Sequence, residues 1–174
     1  MKHILTTLIA IFIMTTLSAQ SIHTISINSI DGKEIKMSEF KGKYILVVNV
    51  ASNCGYTSQY SDLQKLHDTY DNLVVLGVPC NQFGMQEPGS EKEIQMFCES
   101  KYNIDFPMTE KVDVKGKNQH DLFNWLTSKK TNAIDDYNVS WNFNKFLVSP
   151  EGKLLSYYKS GVNPMDESIT SLIK

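Results

Sequence analysis

A single thiol is placed where a run of strand residues gives way to a helix. Cys54 lies in Asn49-Val-Ala-Ser-Asn-Cys54-Gly-Tyr-Thr57-Ser, after the continuous apolar run Tyr44-Ile-Leu-Val-Val and before Tyr60, Leu63, His67 and Tyr70 at roughly helical spacing. A cysteine near the positive end of a helix dipole and the free N–H groups of its first turn is favoured as thiolate, the nucleophilic form. No His or basic residue lies close to Cys54 in sequence, so its activation falls to dipoles and neutral hydrogen-bond donors. Gln82 and Asn142 each offer two amide N–H groups, and Trp141 offers an indole N–H with no competing acceptor. Such donors hold a thiolate and a bound oxygen without adding a titrating group. Spacing alone reads Trp141 as a core aromatic in a hairpin, and alternation along a strand puts Asn142 on the opposite face, so periodicity does not unite the pair. A free cysteine is ordinarily a buried small hydrophobe; the strand-to-helix junction favours a reactive Cys54.

Bulk properties remove several alternatives. The chain has 174 residues and a formal charge of −2. Nothing in that charge calls for nucleic acid. All 17 basic residues are Lys, which excludes a bidentate guanidinium clamp on a carboxylate. Cys54, Cys80 and Cys98 make an odd set of three, too few for a disulfide scaffold, and an odd count in an exported chain implies at least one free or reactive thiol. No Cys-x-x-Cys pair exists and no His stands at a ligand-like offset from a Cys, so neither a metal site nor a cofactor is expected.

The first 20 residues differ from the rest. Lys2 and His3 precede an apolar stretch from Ile4 to Leu17, and Ser18-Ala-Gln20 follows. This is the basic start, apolar middle and small-residue end of a secretory signal, short for a spanning helix and lacking a charged stop-transfer cluster. We expect residues 1–20 to be a signal peptide cleaved near Ala19 or Gln20, and residues 21–174 to form one domain with no stable membrane association once processed.

Elements that would position Cys54 follow from pattern and punctuation. Asp31-Gly32 reads as a turn between two short strands, and residues 38–40 as a brief helical turn. The spacing predicts a buried strand over 43–51, a helix over about 58–70 with Thr57 as N-cap, and a second apolar strand over 72–78 ending in a loop, Pro79-Cys-Asn-Gln-Phe-Gly84. Ser90-Glu-Lys-Glu93 fits a capping box opening a helix to about Tyr102. A short strand over 111–114 and a helix over 118–128, with Leu122, Phe123 and Leu126 inward, come next. Residues 141–148 and 153–159 form a hairpin across a type I turn at Ser149-Pro-Glu-Gly152, and residues 164–173 close as a helix. Strands alternating with helices imply an α/β fold with a central mixed sheet. Ligands bind at the carboxyl ends of strands in such sheets; Cys54 and the Pro79–Gly84 loop both fall there.

Three segments carry a resemblance. Asn49-Val-Ala-Ser-Asn-Cys-Gly-Tyr-Thr57, Pro79-Cys-Asn-Gln-Phe-Gly-Met-Gln-Glu-Pro88-Gly-Ser90 and Ser140-Trp-Asn-Phe-Asn-Lys-Phe-Leu147 resemble the three signatures of the glutathione peroxidase family, in the family's order over residues 22–174. The resemblance implies a thioredoxin-like fold and reduction of hydrogen peroxide and organic or lipid hydroperoxides by a tetrad. Carried over, the tetrad is Cys54, Gln82, Trp141 and Asn142, with cysteine in place of the selenocysteine of other members. The short stretch between Trp125 and Trp141 lacks the insertion of tetrameric members and implies a monomer. Cys98-Glu-Ser-Lys-Tyr-Asn-Ile-Asp-Phe-Pro107 resembles the segment bearing the resolving cysteine of thioredoxin-dependent members, although Ile94, Cys98 and Tyr102 share a helix face and pattern alone equally suits a core residue. By this resemblance Cys80 is structural. The implied cycle is a Cys54 sulfenic acid resolved as a Cys54–Cys98 disulfide and reset by a thioredoxin-like dithiol or glutathione. A peroxide-sensing relay that passes oxidation to a partner uses the same residues and stays open. The leader implies export, to a bacterial periplasm or to the medium. N-terminal sequencing of the exported protein is expected to start at residue 20 or 21; a chain starting at Met1 would remove the cleavage.

Overall fold

The structure, a computed structural model, describes residues 21–174; the expected leader over 1–20 lies outside them. A five-residue connection over 29–33, with Gly32 at φ 84°, pairs β1 (Ser26–Asn28) with β2 (Glu34–Lys36), as expected from Asp31-Gly32. The remaining strands form a mixed sheet in the order β4-β3-β5-β6. β3 (Tyr44–Val50) and β4 (Leu73–Pro79) are parallel, and their apolar runs are buried on both faces, as a strand covered by layers on each side requires. β5 (Lys145–Val148) runs antiparallel to β3, and β6 (Leu154–Tyr158) antiparallel to β5 across the Ser149–Gly152 turn.

Alternate residues of β3 feed two cores. Leu46, Val48 and Val50 meet α1 (Gln59–Thr69) and α2 (Glu91–Tyr102) on one face. Ile45 and Val47 meet α3 (Asp121–Thr127) and the β1–β2 hairpin on the other. Leu122, Phe123 and Leu126 point inward as expected. The capping box of α2 forms, with Ser90 Oγ accepting from Glu93 N and Glu93 Oε2 accepting from Ser90 N at 2.8 Å. Short α4 (Lys129–Asn132) and α5 (Glu167–Thr170) complete the layers. Among the described residues no helix is long and apolar enough to cross a membrane.

Four local expectations change. Thr57 does not cap α1: the cap position is Ser58, with no side-chain bond, because the Thr57 hydroxyl is committed inside the Cys54 turn. Residues 111–114 are not a strand, since Gln82 takes the Val114 and Lys115 N–H groups and the Lys115 carbonyl that a ladder neighbour would use. The helix expected over 118–128 starts only at Asp121, where the His120 ring caps it by accepting from Leu122 N at 3.1 Å. The last helix shrinks to one turn capped by Asp166.

A buried polar clamp joins the carboxyl end of β3 to the turn before β5. Asn49 is fully buried; its Nδ2 donates to Trp141 O at 3.0 Å and its Oδ1 accepts from Asn144 N at 2.9 Å. Its carbonyl accepts from Phe143 N at 2.6 Å. Asn144 Nδ2 donates to Trp141 O and Ser160 Oγ, both at 2.9 Å, and Gln59 of α1 donates to Ser160 O at 2.8 Å. Phe143 sits at φ 63°, a left-handed conformation unusual for a bulky residue, and the buried Lys145 ammonium donates to its carbonyl at 2.8 Å. Burial lowers the Lys145 ammonium to about 7. Removing the Asn49 side chain by Asn49→Ala orphans the Asn144 N–H. That change is expected to cost about 1–3 kcal/mol, the penalty of one buried unsatisfied group, read as a lower denaturant midpoint. An unchanged midpoint would remove the clamp.

Candidate active site

Cys54 sits in a tight turn that the sequence builds from Thr57. The Thr57 hydroxyl accepts from Cys54 N at 2.9 Å and donates to Ala51 O at 2.8 Å, while Thr57 N donates to Cys54 O at 3.0 Å. Three successive bonds from residue i to i+3 then lead into α1, from Gln59 N, Tyr60 N and Ser61 N. Tyr56 N points back and donates to the Cys54 sulfur at 3.4 Å. Cys54 is 8% exposed, so only a small part of it meets solvent. The α1 dipole therefore acts on Cys54 across an irregular turn, and a turn N–H supplies the direct contact.

The loop after β4 comes back to this turn by two left-handed residues, Gly84 at φ 64° and Met85 at φ 52°. That reversal delivers Gln86 to the site: its carbonyl accepts from Asn53 N at 3.0 Å, and its Oε1 accepts from Asn142 Nδ2 at 2.9 Å. Asn142 is fully buried, and its own Oδ1 has no hydrogen-bond partner in the protein. Trp141 packs its ring against Phe83 with centroids 6.0 Å apart and stays 39% exposed, so it is a rim residue and not the core aromatic that spacing suggested. Trp141 and Asn142 are brought together because residues 141–144 form a turn, with β5 beginning only at Lys145; strand alternation does not apply to them.

Gln82 is placed otherwise. Its Nε2 donates to Lys115 O at 2.9 Å and its Oε1 accepts from Val114 N at 2.8 Å and Lys115 N at 3.1 Å. This amide staples the 111–115 segment, and the side chain that reaches Asn142 is Gln86. The sequence carried one signal for it: two glutamines four apart, Gln82-Phe-Gly-Met-Gln86, with the glycine between them able to reverse the chain.

All three thiols are free. Cys98 is buried on the inner face of α2, within the same core as Cys54, and burial pushes its thiol up to about 11. Cys80 lies in the opposite core, where burial also raises its thiol, and its sulfur accepts from Gln82 N at 3.4 Å. Among the described residues no His/Cys/Asp/Glu group could hold a metal ion. Exposed apolar side chains stand beside each part of the site in sequence: Tyr56 two residues after Cys54, Met85 before Gln86 and Trp141 before Asn142.

Comparison with known proteins agrees with this chemistry. The family model described as glutathione peroxidase matches residues 22–127. A glutathione peroxidase homolog of Bacillus subtilis is 44% identical over 158 residues, 88% of this chain and 99% of the relative. The hydroperoxy fatty acid reductase of Synechocystis is 42% identical, over 87% of this chain and 94% of the relative. Among solved structures, the Trypanosoma cruzi protein GPX1 superimposes with a TM-score of 0.68 at 30% identity, covering 88% of this chain and 94% of its own. A thioredoxin-family thiol:disulfide interchange protein of Chlorobium tepidum, at 15% identity and a TM-score of 0.65 over 89% of this chain and 96% of its own, shares the fold alone. The chain has a thioredoxin-like fold and belongs to the glutathione peroxidase family, and it is accordingly a peroxidase.

Proposed function

We propose that the protein reduces hydrogen peroxide and organic hydroperoxides through Cys54, with Gln86, Asn142 and Trp141 as the donors that surround the reacting sulfur. The observation carrying this reading is the Asn142–Gln86 hydrogen bond beside the Cys54 turn. Cys54 thiolate attacks the O–O bond; one oxygen leaves as water or alcohol and the other stays on sulfur as a sulfenic acid. The Tyr56 N–H and the neutral amide and indole donors stabilise the negative charge as it passes from sulfur to the departing oxygen. The exposed Tyr56, Met85 and Trp141 form an apolar rim, which favours organic hydroperoxides of the fatty-acid kind that the Synechocystis relative is named for. Gln82 remains in the reading as the residue that holds the loop bearing Gln86.

In this reading Cys98 resolves the sulfenic acid. Its burial in an intact helix keeps it from Cys54 until the C-terminal end of α2 loosens, since a disulfide tolerates only about 4.4–6.8 Å between Cα atoms. A thioredoxin-like dithiol then reduces the disulfide by exchange. Glutathione is the weaker candidate, because a chain without arginine offers its carboxylates no guanidinium clamp. The protein acts as a monomer after export, in a periplasm or outside the cell, where the reductant must be delivered to it.

Cys54→Ser is expected to abolish peroxide reduction, and a retained rate would end the mechanism. Gln86→Ala should lower the rate of peroxide reduction by about a hundredfold, the scale set by removing one such donor. Gln82→Ala should lower it far less; the reverse order would return the role to Gln82. With glutathione and thioredoxin assayed side by side, Cys98→Ser is expected to lose turnover with thioredoxin. Equal turnover of the variant would take Cys98 out of the cycle, and a stable mixed disulfide with one partner in place of turnover would favour the relay.

A further inference from the structure

Lys115 carries a charge at the edge of the site, and no carboxylate of the described residues pairs with it; the ion pairs there are Lys33–Asp31 and Lys36–Glu34. Its ammonium stands over the Phe83 ring, 4.3 Å from the centroid, and the Phe83 ring in turn meets Trp141 at 6.0 Å. A ring face holds a cation without consuming its N–H groups, so a bound acceptor can still take them. The charges nearest in sequence are the half-buried Asp113 and the exposed Lys117. The backbone of Lys115 is fixed. Gln82 Nε2 donates to Lys115 O at 2.9 Å, Gln82 Oε1 accepts from Lys115 N at 3.1 Å, and Gln119 Nε2 donates to Val114 O at 2.9 Å. The loop that bears Phe83 therefore also positions the lysine. An apolar surface leads from there towards the Cys54 turn. Trp141 is 39% exposed and Met85 77%. A Cβ on Gly84 would lie 3.6 Å from the Trp141 ring and 3.5 Å from Gln86 Cγ, so the Gly84–Met85 reversal runs against that ring. Gln86 O accepts from Asn53 N at 3.0 Å, one residue before Cys54. Contacts thus run without a break from the Lys115 ammonium, through Phe83, Trp141 and the 84–86 reversal, to the neighbour of the reacting thiol.

We propose that Lys115 selects hydroperoxides that carry a carboxylate, its ammonium holding the acid group while Met85 and Trp141 support the hydrocarbon chain that brings the O–O bond to Cys54. The inference rests on the reading that Cys54 reduces organic hydroperoxides, and it says which of them are taken best. Such a substrate has an acid at one end, an apolar chain and a hydroperoxyl group along it. That is the chemistry of a free fatty-acid hydroperoxide, not of its ester, and hydrogen peroxide has neither acid nor chain. The two ring contacts in series keep the ammonium within about one Debye length of the Trp141 ring, roughly 10 Å at 0.1 M salt. Its attraction therefore reaches an acid lying across that ring and weakens as salt rises. The carboxylate takes no part in the reaction: O–O cleavage leaves an alcohol on the chain and a sulfenic acid on Cys54. One point charge on one carboxylate needs no bidentate fork, so a lysine suffices. An exposed ion pair supports a modest preference, about three- to fivefold, and not an absolute requirement.

The test mixes the full chain, without any reductant, with one unsaturated fatty-acid hydroperoxide as the free acid, with its methyl ester and with hydrogen peroxide, the two lipids below the concentration at which they aggregate. Cys54 oxidation is timed by quenching with an alkylating reagent and mass mapping, so a contact between Lys115 and a reductant does not enter. Wild type should favour the acid over the ester by about three- to fivefold in second-order rate constant. Lys115→Gln should bring that ratio close to unity, and Lys115→Glu should invert it. Lys115→Arg should keep it, and added salt should lower it in wild type and Lys115→Arg alike. Taking the ratio within each variant cancels any general loss of Cys54 reactivity. An acid-to-ester ratio that is the same in wild type, Lys115→Gln and Lys115→Glu overturns the inference and leaves Cys54 as the thiol that reduces organic hydroperoxides. A wild type oxidised by hydrogen peroxide but by neither lipid overturns the underlying reading as well.

Discussion

Asn49 is the residue on which the rest of the site depends. A strand buried on both faces ends at Val50, and the backbone beyond it must be satisfied without a ladder. Asn49 supplies both a donor and an acceptor from one side chain, to Trp141 O and Asn144 N, and its own carbonyl takes Phe143 N. One amide therefore fixes where β3 stops, where the Trp141–Asn144 turn lies and how far Asn142 stands from the Cys54 turn. The left-handed Phe143 is tolerated because bonds on each side hold it, Asn49 O to its N–H and Lys145 to its carbonyl. A buried lysine without a carboxylate partner is costly, and its retention fits a role in holding that turn.

The second constraint is Thr57. In a thioredoxin-like fold a second thiol at this position would offer Cys54 an immediate partner. Here a hydroxyl occupies it and is spent on Cys54 N and Ala51 O. The turn is thereby closed without oxidation chemistry, and Cys54 is left as a lone thiol. In the proposed cycle peroxide meets Cys54 first, and Cys98 enters only through a change of shape.

How much of this was legible in the sequence divides by physical type. Long apolar runs named β3 and β4, and the Ser90–Glu93 spacing named the start of α2, because these signals are local. The place of Cys54 in the turn between β3 and α1 was legible for the same reason. What local pattern could not show was where an amide side chain reaches. Gln82 and Gln86 are chemically identical and four residues apart; only the reversal at Gly84–Met85 and the staple to Val114–Lys115 decide that one faces Asn142 and the other the opposite loop. Alternation argued against pairing Trp141 with Asn142, and it failed because those residues are in a turn. The shortened helices failed by capping: His120 and Asp166 begin α3 and α5 later than apolar spacing alone placed them.

The proposed cycle requires Cys98 to be both protected and releasable, and it is buried in α2. The N-terminal half of α2 is held by the reciprocal Ser90–Glu93 box. Its C-terminal end is held by Asn103 in a left-handed conformation, whose N–H bonds Glu99 O, and by Ile104 N on Cys98 O at 3.3 Å. Beyond that, Gln64 of α1 ties the following segment through Asp105, donating to its carboxylate at 2.6 Å and accepting its N–H at 3.0 Å. Cys98 thus lies in the half of the helix closed by backbone cap bonds and an exposed side-chain latch, without a reciprocal capping box, and helix ends open at lower cost than the middle. A residue in the centre of α2 would need the whole helix to melt, and one beyond it would meet Cys54 without waiting for peroxide. In the proposed cycle, the position between those limits lets oxidation of Cys54 and opening of the helix end occur in order.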